Sequence, residues 1–119
     1  MNIYRSLNEI TKYIIENDAI KALDLVGKVI NEGKDVNNFL WEIIKYIKDV
    51  LVYKTTNELQ IYSKDDIEKI KEIVGDVSSE RLLNLIYSFY FISSPIKKRL
   101  SINLLSPSIF FSSIIFHAK

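Results

Sequence analysis

Cysteine is absent, and histidine, methionine and tryptophan occur once each. Without thiols the chain has no disulfide, no cysteine nucleophile and no cysteine-ligated zinc or iron–sulfur site, so the core must hold the fold together. The single imidazole, His117, has no second histidine beside which to complete a ligand set. A base or metal ligand needs an orienting partner at set geometry, and His117 therefore reads as a terminal surface side chain. No charge of one sign dominates: 16 Lys and Arg face 15 Asp and Glu, for a net charge of +1. That balance supplies no general field for phosphates, and direct DNA binding is not expected. No Gly-x-x-x-x-Gly-Lys-Ser/Thr loop or Gly-x-Gly-x-x-Gly turn is present to cradle a nucleotide. No apolar run approaches the ~20 residues needed to span a bilayer, and Met1–Ile10 lacks a charged-then-apolar leader. A soluble, cytoplasmic protein is the resulting expectation.

The 119 residues are 48% hydrophobic and 26% charged, an ordinary globular composition in a length that suits one domain. Only three glycines and two prolines punctuate them. Apolar residues recur at three- and four-residue steps, the signature of helices packed on helices. A first helix is predicted from Ile3 to about Glu16, with Ile3, Leu7, Ile10 and Ile14 on one stripe. Asn17-Asp18 breaks it, and Asp18 caps a second helix whose buried face reads Ala19, Ala22/Leu23, Val26 and Val29/Ile30. Gly33 closes that helix, and Asp35 caps a long third one marked by Phe39/Leu40, Ile43, Ile47, Val50/Leu51 and Lys54. Thr55–Tyr62 has no clean period and reads as a loop or short turn. Ser63 then caps a charged helix with Ile67, Ile70 and Ile73/Val74 inward. After Gly75-Asp76, Ser78 caps a fifth helix, with Val77 and Leu82 placed as a hydrophobic staple and Leu82, Leu85/Ile86 and Phe89 continuing inward. Ser94-Pro95 and Ser106-Pro107 suit further helix starts, although Pro95 can also simply kink a continuous helix. Ile109, Phe110, Phe111, Ile114, Ile115 and Phe116 make the last segment apolar almost all round, so it needs cover on several sides.

Little in the chain suggests catalysis. Asp65-Asp66 are adjacent on a helix, point about 100° apart and do not converge; they fit the helix dipole at a first turn. Lys97-Lys98-Arg99, with Arg81, Lys69 and Lys71 elsewhere, reads first as a solvated helical face. No catalytic residue, metal site or cofactor is expected in this chain. The aromatic residues are more informative, because Trp and Tyr are over-represented at the buried centres of protein interfaces. The candidate interface residues are Phe39, Trp41, Tyr46, Tyr53, Tyr87, Tyr90, Phe110 and Phe111. The same residues are those a helical core would bury, and some can serve both ends.

The most distinctive stretch runs from Ala22-Leu23 through Glu32-Gly33-Lys34-Asp35 and Phe39-Leu40 to Asp49-Val50-Leu51 and Lys54. It resembles the third domain of the gamma/tau subunit of bacterial DNA polymerase III. There a helix bearing Ala-Leu leads through a Gly-Lys-Asp or similar turn to Phe-Leu and a helix ending near Asp-Leu-Leu and Lys. Each element also has an elementary reading: a small residue at a helix crossing, glycine and aspartate caps, and core positions. The likeness runs from Ile3 to about Phe116, since Ser79-Glu80-Arg81-Leu82-Leu83 is similar to the start of that family's next long helix. The far end departs: where the family has Pro-Arg, aliphatic residues and Glu, this chain reads Pro107-Ser108-Ile109-Phe110-Phe111-Ser112, without either charge.

The resemblance implies an all-α, clamp-loader collar-like bundle of about five to seven helices over residues 1–119. It implies a single oligomerisation domain that follows an N-terminal ATPase module in the full-length protein, an ATPase component of the polymerase holoenzyme. The implied partners are other clamp-loader subunits, namely further gamma/tau copies, delta and delta-prime, in a homo- or hetero-oligomer. Nucleic acid would be met only through the assembly. The chain would then be a frame that fixes the order and spacing of ATPase modules as they load a sliding clamp onto primed DNA. The competing expectation is a free-standing helical adaptor or regulatory module that binds an unrelated protein through the Trp41–Tyr53 face.

Overall fold

The computed structural model describes residues 3–59 and 62–93. Among them lie five helices and no strand: α1 (Ile3–Ile15), α2 (Ala19–Asn31), α3 (Val36–Thr56), α4 (Lys64–Val74) and α5 (Ser79–Ser93). The all-α bundle expected from the apolar periodicity is the architecture found. The starts predicted at Ser94-Pro95 and Ser106-Pro107, and the apolar stretch through Phe116, lie outside the described residues.

Each boundary has a local cause. Asn17 takes a left-handed φ of 60° and ends α1. The Asp18 carboxylate accepts from the Lys21 amide at 3.1 Å and starts α2. Gly33, at φ 85°, turns the chain out of α2 while its amide and that of Lys34 return to the carbonyls of Ile30 and Val29. A side chain there would be strained in the left-handed region, which is why glycine sits just past the helix. Asp35 accepts from the Asn37 amide at 2.7 Å and starts α3. Ser63 Oγ accepts from the Asp66 amide and donates to the Asp66 carboxylate, so Asp66 completes the start of α4. Ser78 Oγ accepts from the Arg81 amide ahead of α5. One boundary differs from expectation: α1 ends at Ile15, within a residue of the predicted stop, but α3 continues through Thr56, two residues into the predicted loop, before Asn57 ends it at φ 62°.

The third helix is the spine. Phe39, Leu40, Ile43, Ile44, Tyr46, Ile47, Val50 and Tyr53 are all buried on it. Its largest packing partner is α5, and it also meets α4 and α1, while α2 packs mainly on α1. One predicted stripe is thus too narrow for α3: a helix covered from more than one side buries more than one stripe, and Ile44, Tyr46 and Tyr53 join the core. On α2 the buried set is Ala22, Leu25, Val26 and Val29, whereas Ile30 is 38% exposed. The inward face of α2 is therefore rotated toward Leu25, away from the Leu23/Ile30 side. Val77 and Leu82 are both buried across the Ser78 cap, as a hydrophobic staple requires.

Two cations tie helix ends to neighbouring helices. Arg81 at the start of α5 donates to the carbonyls of Ile15 (2.9 Å) and Ile14 (3.0 Å) and to the Asn17 side chain at 3.1 Å. Lys54 Nζ, on α3, donates to the Val74 carbonyl at the end of α4 at 2.9 Å. Both satisfy carbonyls that a helix leaves unpaired and place positive charge at the negative end of its dipole. Burial lowers the Arg81 pKa, yet guanidinium keeps its proton at any ordinary pH. Between α1 and α3, Asn8 Nδ2 donates to Tyr46 Oη at 2.9 Å, a hydrogen bond buried on both sides.

Replacing Arg81 by methionine keeps the aliphatic stem and removes the donors. Charge-assisted bonds of this kind contribute about 1.5–3 kcal/mol, so denaturant unfolding should show a loss of that order, with lysine in its place recovering only part.

Candidate protein interface

The eight aromatic residues singled out from the sequence separate into three groups. Phe39, Tyr46 and Tyr53 are 2%, 2% and 7% exposed and belong to the core. As surface contacts for a partner these three are corrected: their side chains already fill the space between α3 and its neighbours. Trp41, Tyr87 and Tyr90 are exposed, at 40%, 69% and 56%. Phe110 and Phe111 lie outside the described residues. The separation follows the helical period, since Phe39, Ile43, Tyr46, Val50 and Tyr53 advance along one face of α3 at steps of three and four, and Trp41 lies between those rows.

The exposed members are not scattered. Trp41, near the start of α3, meets Tyr90, near the end of α5, edge to face with centroids 5.7 Å apart and planes at 90°. This is the favoured geometry for an aromatic pair, and it joins the two helices outside the core. On α5, Leu83 (42% exposed), Tyr87 and Tyr90 follow at steps of four and three, opposite the buried Leu82, Leu85 and Phe89. From Leu82 to Ser93 no residue carries a charge. The helix is thus apolar or neutral on the face it turns outward as well as on the one it buries. Leu83 was absent from the sequence-based candidates, although the uncharged run was the available signal: an outward helical face normally shows Lys or Glu.

A second group of aromatics lies where α1, α3 and the start of α4 meet. Tyr62 stacks edge-on against Tyr4 at 5.0 Å and against Tyr46 at 6.3 Å. Its hydroxyl donates to Asp49 Oδ2 at 2.6 Å. Burial raises the Tyr62 phenol well above its ordinary value, and the hydrogen bond to Asp49 adds to the shift. Burial pushes Tyr46 up to about 12. These rings border a recess of about 240 Å³ that Glu42, Lys45 and Asp49 also line. Its rings pack on one another, and Tyr62 and Asp49 are hydrogen-bonded to each other at its edge. Asp65 and Asp66 sit in the first turn of α4, as the helix dipole favours. Among the described residues no group of three or more His, Cys, Asp or Glu could hold a metal ion. His117 and Lys97-Lys98-Arg99 lie outside the described residues. No described helix is long and apolar enough to cross a membrane.

Raised phenol pKa values mean that the folded chain holds its protons where the unfolded chain releases them. Stability is therefore unaffected at neutral pH and falls as pH rises from the unfolded value near 10 toward about 12, where Tyr46 itself ionises. Each such group should contribute a slope of up to about 1.4 kcal/mol per pH unit in that window. Alkaline unfolding followed by circular dichroism should flatten measurably when both Tyr46 and Tyr62 are replaced by phenylalanine.

No family model, no curated protein and no solved structure matches the chain.

Proposed function

We propose that this chain is an assembly domain of the clamp-loader collar type, whose work is to hold protein subunits together. The observation that carries the reading is the outward apolar face formed by Trp41 of α3 with Leu83, Tyr87 and Tyr90 on the charge-free stretch of α5. Trp41 and Tyr90 touch across the two helices, and exposed apolar groups brought together in this way are where protein partners dock. Trp and Tyr at a patch centre are also the residues that carry most interface energy.

The resemblance to the gamma/tau third domain supplies the class of partner. Its elements have clear physical work in this chain: Ala22 is fully buried on α2, Gly33 and Asp35 shape the turn between α2 and α3, and Phe39 and Leu40 are in the core. Lys54 bonds the end of α4. These roles support a shared fold plan. On this reading the partner is a neighbouring clamp-loader subunit, the chain has no catalytic residue or cofactor of its own, and ATP is handled by a separate module. Its contribution to clamp loading is geometric, since a rigid frame fixes the spacing of the modules that move.

The test is association. Mixed with gamma/tau, delta and delta-prime subunits of the source organism, the chain should form complexes of defined stoichiometry by native mass spectrometry. Placing glutamate at Trp41, Tyr87 or Tyr90 should weaken them at least about 10-fold, because a charge is then buried at the contact. The circular dichroism spectrum should not change, as none of the three is in the core. Binding to none of these subunits by the intact chain would sink the reading, and tight association with one unrelated protein through the same residues would favour the adaptor.

A further inference from the structure

The outer face of α2 is a second apolar surface, made by different residues. Ile20 is 76% exposed, the highest value among the large hydrophobic residues described, and Ile30 is 38% exposed. Leu23 is half-buried at the margin of the core. Gly27 sits between them in the body of the helix, where a Cβ would meet nothing within 4 Å. Its backbone is not left-handed, since Gly33 is the described glycine with positive φ. Glycine inside a helix is destabilising relative to alanine, and nothing within the described chain requires it at this position. What glycine does offer is close approach by another backbone or side chain.

The spacing of these residues is symmetric about Leu25, at steps of three, four and three. Paired antiparallel about a two-fold axis level with Leu25, two α2 helices set Ile20 of one against Ile30 of the other and Leu23 of one against Gly27 of the other. The large side chain meets the vacant position twice, once on each side of the axis. The charges agree with the same register. Asp24 and Lys28 are exposed, and neither has an ion-pair partner among the described residues. In that pairing Asp24 of one copy comes level with Lys28 of the other to within about 3 Å along the axis, at 1.5 Å of rise per residue. A two-fold axis keeps the two residues on one flank of the contact, so both cross-pairs form together.

We propose that α2 is a self-pairing surface that joins two copies of this chain antiparallel, with Leu23 seated over the partner's Gly27. The contact stands apart from the α5 face and does not depend on the clamp-loader reading. A ring of like subunits is built from head-to-tail contacts, whereas this one is isologous and closes at two. A single helix face falls short of the about 800 Å² per partner of stable complexes, so the pairing is weak and concentration-dependent.

The chain has no cysteine, which makes the register directly readable. In the 119-residue chain, Asp24→Cys should form a disulfide-linked dimer on mild oxidation, because the two sulfurs lie about 3 Å apart along the axis. Lys21→Cys should stay monomeric, its two copies being about 12 Å apart along the axis. By sedimentation velocity over a wide concentration range, Asp24→Lys and Lys28→Asp should each weaken self-association about 5-fold, and the double swap should restore it. Gly27→Leu separates folding from pairing: leucine is the better helix former and has room in the lone chain, so the melting temperature should rise while dimers vanish. Tyr87→Glu should leave the Asp24→Cys cross-link intact. Equal cross-linking at positions 21 and 24, a double swap that stays dissociated, or dimers persisting in Gly27→Leu would each overturn the proposal.

Discussion

The fold depends on the burial of α3 from Phe39 to Tyr53. Ile43, Ile47 and Val50 on this helix have no measurable exposure, and α1, α4 and α5 all rest on it. Fully burying one such aliphatic side chain contributes about 1.5–3 kcal/mol. The sum is offset by the entropy of ordering the chain, so a domain of this size has little to spare. With no thiol and no metal-ligating cluster among the described residues, no other covalent or coordinate link can replace that packing.

Polar groups then decide how the helices are set around the spine. A greasy cylinder permits many rotations of its neighbours, and hydrogen bonds that must be made in a dry interior permit few. Asn8 and Tyr46 fix α1 against α3, Lys54 fixes the end of α4, and Arg81 fixes the end of α1 against the start of α5. Each of these joins residues distant in sequence. The caps at Asp18, Asp35, Ser63 and Ser78 act locally instead, stopping and starting helices so that the long-range bonds can form.

What remains on the outside follows from the same sorting. Once α5 has turned Leu82, Leu85 and Phe89 inward, Leu83, Tyr87 and Tyr90 are carried outward, and Trp41 joins them because it lies off the buried rows of α3. Once α2 has turned Leu25 and Val29 inward, Ile20 and Gly27 face water. Both surfaces are thus by-products of the core in position but not in composition. An outward position without an assembly role would tolerate lysine or glutamate, and these carry tryptophan, tyrosine, isoleucine and glycine. That difference in composition is the reason for reading the chain as a protein that works through contact.

The helices, their caps and the all-α class were legible in the sequence, because period, capping side chain and glycine stop are all encoded within a few residues of one another. The α1 stripe of Leu7, Ile10 and Ile14, the inward Ile70 and Ile73, and the Val77–Leu82 staple could be read directly. Which aromatics reach the surface was legible only in part. The steps of three and four that join Phe39 to Tyr46 set both apart from Trp41, but only the helices packed around α3 determine that their face is the enclosed one and that Trp41 is exposed. The same holds for Arg81, which reads locally as a surface charge and becomes the cap of α1 only when the chain returns to that helix end. Local propensity is a property of adjacent residues, whereas burial belongs to the assembled bundle, so the sequence by itself determined the elements and tertiary packing alone decided which faces they present.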